Sequence, residues 1–169
     1  MAYRNAERLM LRAEAELNQV TADNAPESAF LHAHMAALRA AAAVVEVAGP
    51  MTAGRARRRV RSVWEQLAEV PEAWQVSETQ QVPETRQVPE TRQGPEPPGV
   101  TGAHRATATW LSWSMHFAQQ AAVRAAIESG RPTGLTGAQA ETAVGAATDF
   151  LAQVREVVRS AQFPIRMAS

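Results

Sequence analysis

A run of near-identical hexapeptides interrupts the chain and decides how much of it can form a packed core. Residues 75 to 98 read QVSETQ, QVPETR, QVPETR and QGPEPP. Each unit has at most one valine as its apolar side chain, so the segment has no face to bury and nothing to offset the entropy of ordering it. We predict a disordered loop over residues 75–101, inserted into a single domain that spans residues 1–169. Recognition by a proline-binding partner is the alternative, and it depends on Pro95-x-x-Pro98 alone.

The composition narrows the classes of protein to consider. Apolar residues make up 46% of the chain but aromatic residues only 5%, so the core must consist mainly of alanine, valine and leucine. The absence of cysteine excludes disulfides, thiolate metal sites and cysteine nucleophiles. A net charge of zero gives no overall attraction to nucleic acid or to a membrane. The N-terminus has no apolar signal core, and Arg39 and Glu46 interrupt the most apolar stretch, which predicts a cytoplasmic protein without a membrane span.

Apolar residues recur at helical spacing on both sides of the repeat and predict an all-α, up-and-down bundle of four long helices plus one short helix. The first helix covers about residues 5–22, and the second runs from Pro26 to a stop at Gly49-Pro50. Ser62-x-x-Glu65 and Thr136-x-x-Gln139 are capping-box patterns that open the third and fifth helices. The fourth covers residues 102–129, and SGRPTG separates it from the fifth, which ends near residue 161.

An arginine run, RARRRVR, precedes the short helix and is the first candidate binding site. The paired N–H donors of an arginine guanidinium group match the geometry of phosphate oxygens, so the run is suited to binding an RNA backbone or a nucleotide phosphate. The alternative is a solvated loop, because all 17 basic residues of the chain are arginine, which is typical of a GC-rich coding bias. The candidate phosphate contacts are Arg55, Arg57, Arg58, Arg59 and Arg61.

The second helix carries the next candidates. His32, Arg39 and Glu46 lie seven residues apart and therefore nearly in line beside the apolar arc. Such a stripe either contacts a ligand or partner or is the solvated side of an amphipathic helix, and we favour the solvated side. His34 points into the apolar arc, where we expect a core histidine with satisfied hydrogen bonds.

Polar groups on the fourth helix fall within an apolar sector. His116, Gln120 and Arg124 follow one another at intervals of four residues, in the same sector as Trp113 and Phe117. Since burying them unpaired is unfavourable, they either form an internal polar network or line a pocket or subunit interface. The opposite side of this helix is also apolar, which favours its enclosure by a second copy of the chain. The residues of that side are Leu111, Met115, Ala118 and Ala122.

Four segments follow one another along the chain: HAHMAALRAAAAVVE, RSVWEQLAEV, WSMHFAQQAAVRAAIESG and AATDFLAQVREVV. In this order they resemble the HEPN superfamily, the higher eukaryote and prokaryote nucleotide-binding helical domain, and most closely its small alanine- and arginine-rich members in high-GC bacteria. The resemblance implies an all-α bundle of four to five helices that is commonly dimeric. It also implies a ribonuclease or a component of a toxin–antitoxin system, as many members are.

The ribonucleases of that superfamily rely on an arginine followed after four to six residues by a histidine, and no histidine here has an arginine at that spacing. Motifs for di-iron, zinc, nucleotide-phosphate and serine-hydrolase sites are missing too, so we expect no cofactor. We therefore favour a non-catalytic domain that binds a nucleotide, RNA or a partner protein. The alternative is a divergent metal-independent ribonuclease, with His116 as general base and Arg124 or Arg39 stabilising the phosphate charge. A helical DNA-binding regulator is less favoured, because the third helix looks buried.

Overall fold

The computed structural model describes residues 2–21, 25–52, 61–71 and 109–161. Every regular element in these residues is an α-helix, which confirms the predicted fold class. The helices are α1 (Ala2–Leu17), α2 (Pro26–Thr52), α3 (Val63–Ala68), α4 (Trp110–Glu128) and α5 (Gly137–Ser160). They belong to one compact unit of the chain. The second unit, Ser77–Thr107, and the whole hexapeptide repeat lie outside the described residues, so the disordered loop over residues 75–101 stays a prediction.

Both capping boxes form as predicted. The Ser62 hydroxyl accepts a hydrogen bond from the Glu65 backbone at the start of α3, and the Glu65 carboxylate accepts one from the Ser62 backbone. Thr136 and Gln139 make the same reciprocal pair at the start of α5. Before α5, two glycines adopt left-handed backbone angles, with φ of 68° and 61°, which side chains with a Cβ rarely adopt. This explains why SGRPTG separates α4 from α5.

Four predicted helix boundaries are wrong. α1 begins at Ala2 instead of about residue 5, and it ends at Leu17 instead of about residue 22, in a turn that continues to Val20. α2 continues past Gly49-Pro50 to Thr52, since a proline near a helix end removes only one backbone hydrogen bond. α4 begins at Trp110 and not at residue 102, because Thr109 has an extended backbone and caps the helix through its hydroxyl.

Helix α2 is the centre of the bundle and contacts each of the other four helices. Its buried surface is mostly alanine, which allows α1 and α5 to approach closely. Aromatic side chains fill the wider space near α3 and α4: Trp64 stacks on Phe117 at 5.1 Å, and Phe117 contacts Phe150 of α5 at 5.3 Å. Helices from before and after the repeat therefore share one hydrophobic core, which also includes Leu151.

The length and composition of α2 would also suit a membrane span, contrary to the sequence-based expectation. The segment in question is Pro26–Gly49. About half of its most apolar stretch is covered by other parts of the protein (56%), as in the core helix of a helical bundle. Its apolar character therefore has an explanation within the fold.

Candidate functional site

On the side of α2 that faces α1, a carboxylate holds two basic side chains. Glu16 of α1 accepts a hydrogen bond from His32 Nδ1 at 2.8 Å and also pairs with the Arg39 guanidinium. Arg39 additionally donates to the backbone oxygen of Arg12. The interpretation of His32 and Arg39 as a solvated stripe is therefore wrong, because this face of α2 packs against α1 and both side chains are only partly exposed.

The electrostatics of this cluster favour the charged carboxylate. Burial raises the pKa of Glu16, but the hydrogen bonds and charges of His32 and Arg39 outweigh that effect, so the pKa lies below its ordinary value of 4.5. Glu16 is therefore ionised at neutral pH. The cluster acts as a charged bridge between α1 and α2, and a second ion pair, from Arg155 to Glu14, ties α1 to α5.

On the opposite side of α2, the imidazole of His34 lies within the aromatic layer. The side chain is 1% exposed, stacks on Phe30 at 6.1 Å and meets the edge of Trp64 at 5.9 Å. The prediction of a buried histidine is confirmed, but not the expectation that its hydrogen bonds are all satisfied. Its Nδ1 has no hydrogen-bond partner within the part of the chain that the structure describes.

Gln120 of α4 is a polar neighbour of two histidines. Its side-chain amide nitrogen lies 3.0 Å from His116 Nε2. Because an amide nitrogen only donates, His116 Nε2 accepts this bond. The Gln120 side chain is also among the polar groups that act on His34, whose pKa it raises. We call these three side chains the relay; the contact between Gln120 and His116 corresponds to the internal polar network among the alternatives predicted for α4.

Both relay histidines favour the neutral form. Burial lowers the pKa of His34, and the nearby Arg124 charge lowers it further, while the hydrogen bond with Gln120 and the Glu128 charge oppose this. Burial also lowers the pKa of His116. Arg124 itself forms an ion pair with Glu128 at 2.8 Å, one turn further along α4. The relay is therefore an uncharged hydrogen-bonded unit next to a neutralised ion pair.

The residues considered for catalysis fall on different sides of α2. His116 contacts Gln120, and Arg39 contacts Glu16 on the other side of the helix. On α2 itself, His34 and Arg39 project about 140° apart around the axis. The described residues also contain no group of three or more histidine or acidic side chains able to hold a metal ion.

Only the last arginine of the basic run lies within the described residues. One guanidinium nitrogen of Arg61, Nη1, donates to both carboxylate oxygens of Glu69 across the short helix α3. Its charge is thus shared with a carboxylate of the same segment. Arg55, Arg57, Arg58 and Arg59 lie outside the described residues, so their assignment as phosphate contacts stays a prediction.

The outer face of α4 is apolar and exposed. Leu111 and Met115 are each 55% exposed, and three alanines continue the row. The positions are four, three, four and three residues apart and project on the opposite side of α4 from Gln120. We call this row the outer stripe; its members are Leu111, Met115, Ala118, Ala122 and Ala125. Exposed apolar surface of this continuity is typical of an interaction site.

Glu16, which holds two of the candidate side chains, was overlooked by the sequence interpretation. It lies three residues after Ala13, in the same helical register as the buried positions Ala6 and Ala13. A carboxylate in an otherwise buried register needs a basic partner, because an unpaired buried charge is strongly unfavourable. The helical position of Glu16 could therefore have predicted that its carboxylate binds a basic side chain. It did not indicate which helix would supply that side chain.

Comparison with known protein families gives a match over the first half of the chain. The model of the SAV_6107-like HEPN family matches residues 5–90. This range contains most of α1 and all of α2 and α3, and it makes up just over half of the chain. No curated protein and no solved structure shows a significant match.

Proposed function

Because the chain belongs to the SAV_6107-like HEPN family, we propose that it is a non-catalytic helical binding domain whose outer stripe binds a second copy of the chain. Family membership confirms the resemblance that the sequence indicated. It supports the HEPN fold, whereas the binding role is our proposal. The observation that carries the proposal is the continuous row of exposed apolar side chains on α4.

The spacing of the outer stripe favours a second α4 as its occupant. Alternating steps of four and three residues form the seam through which two helices pack along each other in coiled coils. The stripe extends over about 21 Å of helix. Its three alanines allow close approach of two backbones, and Leu111 and Met115 supply apolar area at one end. A single surface that pairs with itself around a two-fold axis gives a closed dimer.

A non-catalytic role agrees with the state of the polar side chains. The alternative ribonuclease needs a histidine base next to an arginine that is free to bind a phosphate oxygen. Here His116 accepts from Gln120, Arg124 is paired with Glu128, and Arg39 is paired with Glu16. Each of the proposed phosphate-stabilising arginines thus already has a carboxylate partner, which favours the binding domain over the enzyme.

Binding of RNA or a nucleotide by the arginine run, and a role in a toxin–antitoxin or stress system, remain predictions from the sequence. Arg61, the one described member of the run, is paired with Glu69, which weakens its own case as a phosphate contact. The four other arginines would have to supply most of the affinity. We therefore place self-association first among the proposed functions.

The test compares two alanine-to-glutamate substitutions at exposed helical positions. Ala122 lies in the outer stripe and Ala152 lies on α5, and both are exposed. We expect the wild type to have twice the 18.3 kDa mass of the chain in solution. Ala122→Glu should raise the dimer dissociation constant at least about tenfold, because it places two carboxylates in an apolar seam. Sedimentation equilibrium measures both quantities.

The control Ala152→Glu introduces the same charge away from the stripe and should leave the mass unchanged. A monomeric wild type at every concentration would refute self-association. If the Ala122→Glu variant were still a dimer, the dimer interface would have to lie on a face other than the outer stripe. Circular dichroism of both variants checks that their helices are intact.

A further inference from the structure

We propose that the outer stripe pairs with a second copy of the chain in the antiparallel direction, so that each large side chain of one copy lies against an alanine of the other. The pairing rests on the proposed function, to which it adds a direction and a register. Three properties of the exposed side of α4 support it: the order of large and small side chains along the stripe, the position of the polar residues beside it, and the absence of charge.

The large side chains of the outer stripe lie together at one end. Leu111 and Met115 are each 55% exposed, and the other three positions are alanine. A parallel pair would put leucine against leucine and methionine against methionine at one end, and alanine against alanine at the other. Two helices packed along such a seam keep a nearly constant distance between their axes. A parallel pair would therefore be overpacked at one end or leave empty space at the other, and both are unfavourable.

Antiparallel pairing gives every layer of the seam the same size. The steps along the stripe are four, three, four and three residues, so equal steps coincide only if the two-fold axis passes between two successive positions. With the axis between Met115 and Ala118, Leu111 of each copy lies against Ala122 of the other. Met115 of each copy then lies against Ala118 of the other. All four layers contain one large side chain and one alanine, over about 16 Å of helix.

The neighbouring registers fit less well. With the axis between Ala118 and Ala122, two layers would consist of alanine alone, and Leu111 would have no position of the stripe opposite it. With the axis between Leu111 and Met115, only those two positions would have partners. The axis between Met115 and Ala118 is therefore the one that uses both large side chains and matches each with an alanine.

The polar residues beside the stripe favour the same direction. Ser112 and Gln119 are exposed and project on one flank, about 90° from the centre of the stripe, while Ala121 is exposed on the other flank. In an antiparallel pair a two-fold axis brings equal flanks together, whereas in a parallel pair each flank faces the opposite one. Antiparallel pairing thus places the Ser112 hydroxyl of one copy beside the Gln119 amide of the other, where the two groups form a hydrogen bond.

The exposed side of α4 has no charge that would oppose this approach. From Trp110 to Val123 the sequence contains no acidic residue and no arginine. His116 is the one titratable side chain in that stretch, and it projects about 140° away from the centre of the stripe. Two copies therefore meet without repulsion between like charges. A polyanion such as RNA would find no cation on this surface, so the surface fits an uncharged apolar partner, which a second copy supplies.

Disulfide cross-linking tests the direction and the register, because the chain contains no cysteine of its own. The variants Leu111→Cys and Ala122→Cys are oxidised mildly, each alone and as an equal mixture. In the proposed pair these two positions lie opposite each other, where a disulfide needs Cα atoms about 4.4–6.8 Å apart. The same position in the two copies lies about 16 Å apart. We expect at least about tenfold more cross-linked dimer in the mixture than in either variant alone.

The other outcomes separate the pairing from self-association itself. Cross-links in Leu111→Cys alone would show a parallel pair, which overturns the proposed direction and supports self-association. Cross-links only between Met115→Cys and Ala125→Cys would overturn the register, and a dimer with no cross-link in any combination would overturn the pairing altogether. A wild type that sediments as a monomer would refute self-association and the pairing with it. As a control, Ala152→Cys on α5 should not cross-link with Leu111→Cys.

A reversal of sizes within one layer gives a second test by sedimentation equilibrium. Ala122→Leu puts leucine against Leu111 of the other copy and should raise the dimer dissociation constant at least about tenfold, because the layer is overpacked. Adding Leu111→Ala to the same chain restores one leucine and one alanine in that layer and should recover the wild-type constant to within about threefold. Stronger association of Ala122→Leu alone would overturn the antiparallel pairing, since in a parallel pair the new leucines would contact each other.

Discussion

Two histidines of α2, two residues apart, lie in opposite environments. His32 projects towards α1 and binds a carboxylate at the edge of the fold, whereas His34 projects towards α3 and α4 and is enclosed by aromatic rings. A separation of two residues rotates them about 160° around the helix axis. The α1 side therefore holds a charged group, while on the α4 side burial lowers the pKa of His34 and of His116 and so favours their neutral forms.

The two sides also differ in how their helices are held. The buried residues of α1 are Ala6, Met10 and Ala13, so the helix lies close to its neighbours and ion pairs fix its position. α4 has few small residues on its inner side and is held by Trp110, Trp113 and Phe117. On the α1 side, close packing of alanines is therefore combined with ion pairs. On the α4 side, packing of aromatic side chains is combined with the uncharged side chains of the relay.

The largest expected effect is on the aromatic side. Phe117 is fully buried and contacts Trp64, Trp113 and Phe150, so Phe117→Ala leaves a cavity between three helices. We expect the free energy of unfolding to fall by about 3–5 kcal/mol, measured by urea denaturation.

The matched control for this substitution is Leu11→Ala on α1, where the side chain is 66% exposed. That change should stay within about 0.5 kcal/mol of the wild type. A loss below about 1 kcal/mol in Phe117→Ala would show that the aromatic layer does not hold α4, and the contrast between the two sides would disappear.

An intermediate effect is expected on the charged side. Glu16→Gln removes the charge that His32 and Arg39 share, and it should lower the free energy of unfolding at pH 7 by about 1–2 kcal/mol. Because the pKa of Glu16 is lowered, this stabilisation is complete above about 4.5 and is lost as the pH falls through the folded value. The difference between wild type and variant should therefore vanish in acid, at pH values below about 4.5.

Glu141→Gln serves as the control for that substitution, since Glu141 is exposed on α5. It should change the stability by less than about 0.5 kcal/mol at either pH. If Glu16→Gln were equally neutral at pH 7, α1 would be held by apolar packing alone.

The smallest effect on stability is expected from shortening the connection between α3 and α4, the two helices of the aromatic side. Replacing residues 75–98 by a short flexible linker should leave helicity and melting temperature nearly unchanged, because a loop's closure entropy varies slowly with its length. Circular dichroism during heating measures both. A large loss of helicity would show that the repeat packs against the rest of the protein and that the predicted inert insertion is wrong.

Contacts within one helix could be predicted from the sequence, whereas contacts between helices could not. The i, i+4, i+8 spacing placed His116, Gln120 and Arg124 on one face of α4, and the structure confirms that Gln120 binds His116. The spacing did not indicate that Gln120 would also act on His34, because the two residues are far apart in sequence and come close only through packing. For the same reason the partner of Arg39 was not predicted.

The amino-acid sequence by itself determined the helices, their capping boxes and the turn at SGRPTG, because these depend on contacts between residues a few positions apart. It also determined that the outer stripe of α4 is apolar. Only the tertiary structure decided which side of α2 is buried and that Glu16 binds His32 and Arg39. Helical periodicity gives the direction of a side chain around its own axis, but the neighbour in that direction, and hence the charge state of the side chain, follows from how the helices pack.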